Sequence, residues 1–122
     1  MIRLAAGLFP LFLAAPSAPT AAGEVEITAV SATENNGRWR FEVTLRHGDT
    51  GWDHYADAWE LRLRDGTVLG TRTLFHPHVD EQPFTRSLGG VQIPPGVDII
   101  LVFARDSVHG WTEEPVFFEI AD

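Results

Sequence analysis

The sequence predicts an all-β fold, a single antiparallel sandwich of seven short strands. Between residues 38 and 46, apolar and polar side chains alternate, as a strand with one buried and one solvated face requires. Turn signals such as Asn35-Asn36-Gly37 and Asp65-Gly66 separate the apolar runs. No stretch after residue 23 shows a helical period, and 122 residues suit one domain.

The individual strands follow from the local pattern. Pro94-Pro95-Gly96 ends the fifth strand, and residues 97–104 are apolar on both faces, which predicts a central strand. A chain of this length can bury enough apolar surface to fold independently. The predicted strands cover residues 25–29, 38–46, 59–64, 67–75, 84–93, 97–104 and 115–120.

Composition excludes several classes of function. The chain has 17 acidic and nine basic residues, a net charge of −8, which disfavours nucleic acid and anionic membrane surfaces as partners. It has no Cys, and its single Met is Met1. A thiol nucleophile, a disulfide framework, an iron–sulfur cluster, a Cys-built zinc site and a blue-copper centre are therefore excluded.

The first residues have the pattern of a signal peptide. Arg3 gives a positive start, and the apolar residues 4–15 are too few to span a bilayer, which takes about 20 residues. Thr20-Ala21-Ala22 suits a signal peptidase, so we expect cleavage after Ala22, a signal peptide of residues 1–22 and a sandwich domain of residues 23–122. The expected location is periplasmic or secreted, with no lipid anchor because no Cys follows. The alternative is a buried N-terminal helix.

Strand parity predicts that the long connections meet at one end of the sandwich. If each strand reverses direction, the short turns lie at one end and the connections 48–58, 76–83 and 106–114 lie at the other. All five histidines lie in or beside these connections, from His47 to His109. Polar and aromatic loops on a rigid scaffold are where binding residues usually lie.

The first candidate site is a metal site. In His76-Pro77-His78 the two imidazoles are two residues apart, so an extended backbone directs both rings to one side. A histidine and a carboxylate from neighbouring loops could complete a site for Zn²⁺ or Cu²⁺. The alternative is a rigid loop whose histidines bond to the backbone and nearby acids. The predicted metal ligands are His76, His78, His54, His109, Asp80 and Glu81.

The second candidate site is a surface for a partner. Tyr and Trp offer flat faces with a polar edge, which suit a sugar ring or a peptide side chain. The predicted partner-binding residues are Trp52, Asp53, Tyr55, Asp57 and Trp111. Neither Trp52 nor Trp111 belongs to an alternating pattern, so at least one should be exposed. The alternative makes Tyr55 and Trp59 core or corner residues.

Arg86 has the same parity as the predicted core residues Phe84 and Leu88. Because an unpaired buried guanidinium is costly, we expect a structural ion pair with an acid at the rim. The candidate partners are Asp57, Glu81 and Asp106. Neither Ser87 nor Ser107 adjoins a nucleophile elbow or a Gly-rich oxyanion loop, so the sequence favours binding over catalysis.

The strand order from residue 24 to 122 resembles the immunoglobulin and fibronectin type III sandwiches, a fold with many functions. The runs GWDHYADAW and HPHVDEQPFTRSL are similar to those of a family of small exported bacterial proteins with no assigned role, which implies export but no activity. The chain is also similar in size and export to the periplasmic copper-resistance sandwich family. That family binds copper through a His near the mature N-terminus, and some members use Met-rich loops. The mature chain, expected to begin at Gly23-Glu24, has no Met and shares only the His-rich loop end.

The sequence therefore predicts an exported binding module with its site at the end of the sandwich where the three long connections meet. A divalent metal, Zn²⁺ or Cu²⁺, is the preferred ligand. The alternative is a protein or carbohydrate partner with structural histidines, and the expected partners are a small ligand or another periplasmic protein.

Overall fold

A computed structural model describes residues 24–120, all of them in strands, turns or loops. The predicted signal peptide and its cleavage after Ala22 lie outside the described residues. Between residues 24 and 120, no helix is long and apolar enough to span a membrane. The strands are β1 (Glu26–Asn35), β2 (Arg38–Arg46), β3 (Ala56–Arg62), β4 (Val68–Thr73), β5 (Phe84–Val91), β6 (Ile99–Asp106), β7 (Gly110–Trp111) and β8 (Val116–Glu119).

The strands form two antiparallel sheets, which confirms the predicted all-β antiparallel fold. The first sheet has the order β1-β2-β5, and the second has the order β4-β3-β6. Two short strands share the remaining edge of β6: β7 pairs there through Arg105↔Trp111, and β8 through Ile99↔Glu119. The strand β7 was not predicted, because two residues are too few to show an alternation.

The predicted strand 38–46 matches the structure at both ends, and the others differ in their bounds, two of them most. The strand predicted at 25–29 runs from Glu26 to Asn35 as β1. As an edge strand paired only with β2, it has few buried positions, so its alternation is weak. The strand predicted at 59–64 begins at Ala56 and ends at Arg62.

The core lies between the two sheets. The inward side chains of β2, β3 and β6 are fully buried, and Trp59 is the largest of them. Each buried Val, Leu, Ile or Phe side chain stabilises the fold by about 1.5–3 kcal/mol. The packing alternative for Trp59 is therefore correct. The fully buried set comprises Phe41, Val43, Leu45, Ala56, Trp59, Leu61, Ile100, Val102 and Ala104.

Direct hydrogen bonds join the three long connections at one end of the sandwich, as parity predicted. The backbone N–H of Ser107 donates to the carbonyl of Tyr55 at 2.9 Å. The backbone N–H of His78 donates to Oδ2 of Asp49 at 2.8 Å. These bonds connect the loop after β2 with both the loop after β6 and the loop after β4. We call this end, formed by residues 47–55, 74–83 and 107–115, the loop end.

Candidate metal centre

Three residues from different parts of the loop end form a compact group. His47, His54 and Asp106 each place one ligand atom so that all three atoms lie within 4.8 Å of one another. His47 directly follows β2, and Asp106 is the last residue of β6. His54 closes a tight turn through a bridge to Gly51. Two of the three positions thus lie at the end of a core strand or directly after one.

Asp106 is a buried carboxylate held by the turn that follows β6. Its Oδ1 accepts the backbone N–H groups of Val108 at 2.8 Å and His109 at 2.7 Å. The same oxygen lies 3.2 Å from Nε2 of His54. Burial alone would raise the pKa of Asp106, but the backbone bonds and the His109 ring lower it overall. The carboxylate is therefore ionised at neutral pH.

The ring of His47 is held in one orientation by Asp49. The Nδ1 atom of His47 lies 2.6 Å from Oδ1 of Asp49, and both side chains are buried. Because an ionised carboxylate only accepts hydrogen bonds, Nδ1 carries the proton. Nε2 is then the nitrogen that can offer a lone pair to a metal, and it lies 3.8 Å from Oδ2 of Asp106.

Asp49 connects His47 to two other segments. Its Oδ1 also accepts the backbone N–H of Ala56 at 3.0 Å, and its Oδ2 accepts that of His78 at 2.8 Å. Burial would raise the pKa of Asp49, but the bonds from His47, His78 and Ala56 outweigh this effect and lower it. Asp49 is therefore a buried anion that holds the loop after β2 in place.

His109 borders the group from the solvent side. Its Nδ1 lies 3.1 Å and 3.2 Å from the two carboxylate oxygens of Asp106. Its ring centroid is 5.0 Å from that of His54. The side chain is 44% exposed, compared with 20% for His54. His109 therefore acts as a hydrogen-bond donor to Asp106 in this arrangement.

The structure places His76 and His78 in a different setting from His54. The ring of His78 is buried and stacks on Phe84 with centroids 4.0 Å apart. Its Nε2 accepts a bond from Arg86 at 3.0 Å. Burial and the Arg86 charge both lower the pKa of His78. A guanidinium at this nitrogen occupies its lone pair and opposes a metal cation there.

The remaining predicted ligands do not join the group. His76 is exposed, with its ring centroid 4.9 Å from that of His78, and Asp80 is exposed in the same loop. Glu81 accepts a bond from Arg86 at 3.1 Å. Of the six predicted metal ligands, the structure thus brings His54 into the group and places His109 beside it.

Arg86 forms the expected ion pair with one of its three candidate partners, Glu81. Asp57, another candidate, instead pairs with Arg105. The third, Asp106, is enclosed by histidines and backbone N–H groups as described above. The Arg86 side chain therefore connects the start of β5 with the loop before it.

Among the predicted partner-binding residues, Trp52 is the most accessible. Its side chain is 67% exposed, which confirms that at least one loop tryptophan is exposed, and its ring lies edge-on to Tyr55 at 5.6 Å. Asp53 is also exposed. Trp111 instead belongs to β7 and is partly buried, with its ring 5.1 Å from the Arg62 guanidinium.

Sequence reasoning missed His47 as a candidate ligand and considered Asp106 only as a partner for Arg86. The alternation of inward and outward positions along the strands contained a signal for both residues. His47 continues the inward positions of β2 after Leu45, and Asp106 continues those of β6 after Ala104. A polar residue at the inward end of a core strand must find buried partners, and two such strands here end at the same place.

Comparisons with known proteins give one relative and one similar structure. No family model matches the chain. A protein of Halomicrobium mukohataei named "Putative lipoprotein" is 41% identical over 89 residues, which are 72% of this chain and 43% of that protein. The chain thus spans less than half the length of this relative. A crystal structure of a hypothetical protein from Pyrococcus horikoshii matches with a TM-score of 0.55 at 11% identity, over 84% of this chain and 95% of that one. At this identity the likeness shows the fold alone.

Proposed function

We propose that this protein is an exported β-sandwich module that binds a divalent metal ion, Zn²⁺ or Cu²⁺, through His47, His54 and Asp106. Two imidazoles and a carboxylate suit both ions, and the group is compact enough for one ion to contact all three. Because the ligands lie at the ends of core strands and in a tight turn, the folded protein would present them with little rearrangement.

The observation that carries the proposal is the hydrogen bond between His47 and Asp49. Metal-binding histidines almost always donate their other ring N–H to a carboxylate or carbonyl, which fixes the tautomer and makes the ligand more basic. Asp49 does this for His47 at 2.6 Å. The metal-free alternative makes His47 an imidazolium between Asp49 and Asp106.

Thermal denaturation with and without metal separates these two states. At pH 7.5, Zn²⁺ or Cu²⁺ at 100 times its Kd stabilises a protein by about 2.7 kcal/mol, which is a clear rise in melting temperature. Because a metal and a proton compete for the same imidazole nitrogen, the rise should be much smaller at pH 5. His54→Ala should abolish the rise.

His76→Ala is the matched control, because His76 is an exposed loop histidine outside the group. It should keep the full rise with metal. A rise that survives His54→Ala and Asp106→Asn, or one that disappears in His76→Ala, would place the metal elsewhere or leave the proposal without support.

Export and the finer fold assignment are part of the same proposal. The charged start, short apolar stretch and small residues up to Ala22 support a signal peptide, and the name of the Halomicrobium relative is consistent with an envelope protein. If β7 and β8 count as one interrupted edge strand, the strand order supports a seven-strand fibronectin type III-like sandwich. Fractionation of cells that express the full chain tests export, and it should recover a protein shortened by 22 residues.

The exposure of Trp52 favours a second candidate function, recognition of a protein or carbohydrate partner. A large aromatic side chain held edge-on to Tyr55 at the surface is typical of an interaction site. Under this function, Trp52→Ala should weaken binding of the partner while the histidine group continues to stabilise the fold without metal.

A further inference from the structure

We propose that a metal at the His47–His54–Asp106 site keeps one coordination position open to solvent, and that this position takes the neutral imidazole of a histidine from another polypeptide in preference to an anion. This inference rests on the proposed metal site and names the external ligand of that site.

The side chains around the site are exposed to solvent on one side only, so the open coordination position would face that side. The side chains of His47 and Asp106 are each 1% exposed, so they close the inner side. Those of His54 and His109 are 20% and 44% exposed and form the outer side. Three protein ligands leave the fourth position of a tetrahedral ion unfilled, as in sites that accept an exogenous molecule.

His109 does not fill this position. Its Nδ1 lies within hydrogen-bond distance of both oxygens of Asp106, and its backbone N–H donates to the same carboxylate. The Nδ1 atom that donates its proton to Asp106 has no lone pair to offer a metal. The other ring nitrogen of His109 is not among the three ligand atoms that lie within 4.8 Å of one another. His109 therefore orients Asp106 at the rim of the site and leaves the outer position to an external ligand.

The charges around the site favour a neutral ligand. Asp106 as a ligand and Asp49 behind His47 together supply two negative charges, which balance a divalent cation. The loop end contains acidic residues and no Arg, and the chain has no Lys. The guanidiniums of Arg86 and Arg105, which lie in the strands that border the loop end, are already paired with Glu81 and Asp57. The negative charge of an added anion would therefore not be balanced. Imidazole is uncharged and is a preferred donor for Zn²⁺ and Cu²⁺.

The rim of the site favours a polypeptide as the source of that imidazole. Trp52, two positions before His54, is 67% exposed, and Val108, one position before His109, is 57% exposed. Exposed large apolar side chains beside a polar site are typical of protein interaction surfaces. A histidine flanked by apolar side chains would contact both the metal and this rim.

Visible absorption of the Co²⁺-loaded protein tests the proposal at pH 7.5, because the spectrum of Co²⁺ reports its coordination. The probes are imidazole, the peptide acetyl-Leu-His-Leu amide, and azide. Imidazole and the peptide should both shift the spectrum, and the peptide should bind more tightly than imidazole. Azide should bind at least about tenfold more weakly than imidazole, given the uncompensated negative charge at a distance of a few ångströms.

Two variants and one control variant test the reasons behind these affinities. Asp49→Asn removes one negative charge and should raise the azide affinity about tenfold, whereas Asp53→Asn, at an exposed and screened position, should change it less than about twofold. Trp52→Ala should remove the advantage of the peptide over free imidazole and leave imidazole binding unchanged.

Three results would overturn the inference. A Co²⁺ spectrum that responds to none of the probes means a closed site. Azide that binds more tightly than imidazole contradicts the charge argument. A peptide that binds no more tightly than imidazole to the unaltered protein removes the polypeptide as the source. Failure of the protein to take up Co²⁺, Zn²⁺ or Cu²⁺ at all is a separate result, which refutes the proposed metal site itself.

Discussion

Replacing Asp49 should destabilise the fold more than any other change to a loop carboxylate. Its two oxygens accept three hydrogen bonds, from His47 Nδ1 at 2.6 Å, from Ala56 N at 3.0 Å and from His78 N at 2.8 Å. All three donor residues are buried, so water cannot replace the lost acceptor without opening the loop end. Asp49→Ala would leave each donor without a partner.

The expected magnitude follows from the number of donors. An unsatisfied buried donor costs about 1–3 kcal/mol, so Asp49→Ala should lower the free energy of unfolding by about 4 kcal/mol. Asp49→Asn keeps one carbonyl oxygen but turns an NH₂ group toward at least one donor, and should lower it by about 2 kcal/mol. Urea unfolding followed by circular dichroism, with EDTA present to remove metal effects, measures both values.

Asp53→Ala is the matched control, because Asp53 is an exposed acid in the same loop. It should change the free energy of unfolding by no more than about 0.5 kcal/mol. If Asp49→Ala costs less than about 1 kcal/mol, the three bonds do not hold the loop end together, and the proposed orientation of His47 loses its basis.

Three further predictions concern other contacts of the fold. Trp59→Ala should cost about 3–5 kcal/mol in urea unfolding because Trp59 is fully buried, whereas Trp52→Ala should cost less than about 0.5 kcal/mol; equal losses would contradict this difference in burial. The pKa of His78 is lower in the folded protein than in the unfolded chain, so its contribution is complete above the unfolded pKa of about 6.5 and is lost as the pH falls through the folded pKa. The unfolding free energy should therefore decrease less between pH 8 and pH 5 in His78→Gln than in the unaltered protein, and parallel pH profiles would refute this. Glu81→Gln breaks an ion pair in which Glu81 itself is exposed, so it should cost less than about 1 kcal/mol. A larger loss would mean that the pair is not a simple rim contact.

Local patterns predicted most of the fold. The alternation over residues 38–46 has a period of two because one face of β2 packs into the core, and the same rule located β3. The turn at Pro94-Pro95-Gly96 located the end of β5, and an apolar run located β6. The pattern failed where burial is weak or brief. Most side chains of the edge strand β1 are exposed, and β7 has only two residues, so neither produced an alternation that fixed its extent.

The position of the candidate site was predicted better than its composition. Strand parity placed the long connections at one end, because antiparallel strands reverse direction at each turn. The identity of the ligands depends on side-chain packing, which spacing along the chain does not contain. His76 and His78 are only two positions apart in sequence, but Arg86 donates to Nε2 of His78. His47 and Asp106 are 59 positions apart and meet because β2 and β6 end at the same level.

The most direct test of the metal site is a crystal structure of residues 23–122, from crystals grown with Zn²⁺. Anomalous diffraction would be recorded at the zinc edge. The proposal predicts one strong peak per chain, about 2.0–2.2 Å from Nε2 of His47, Nε2 of His54 and a carboxylate oxygen of Asp106. A peak between His76 and His78, or none at the His47–His54–Asp106 group under saturating Zn²⁺, would contradict it.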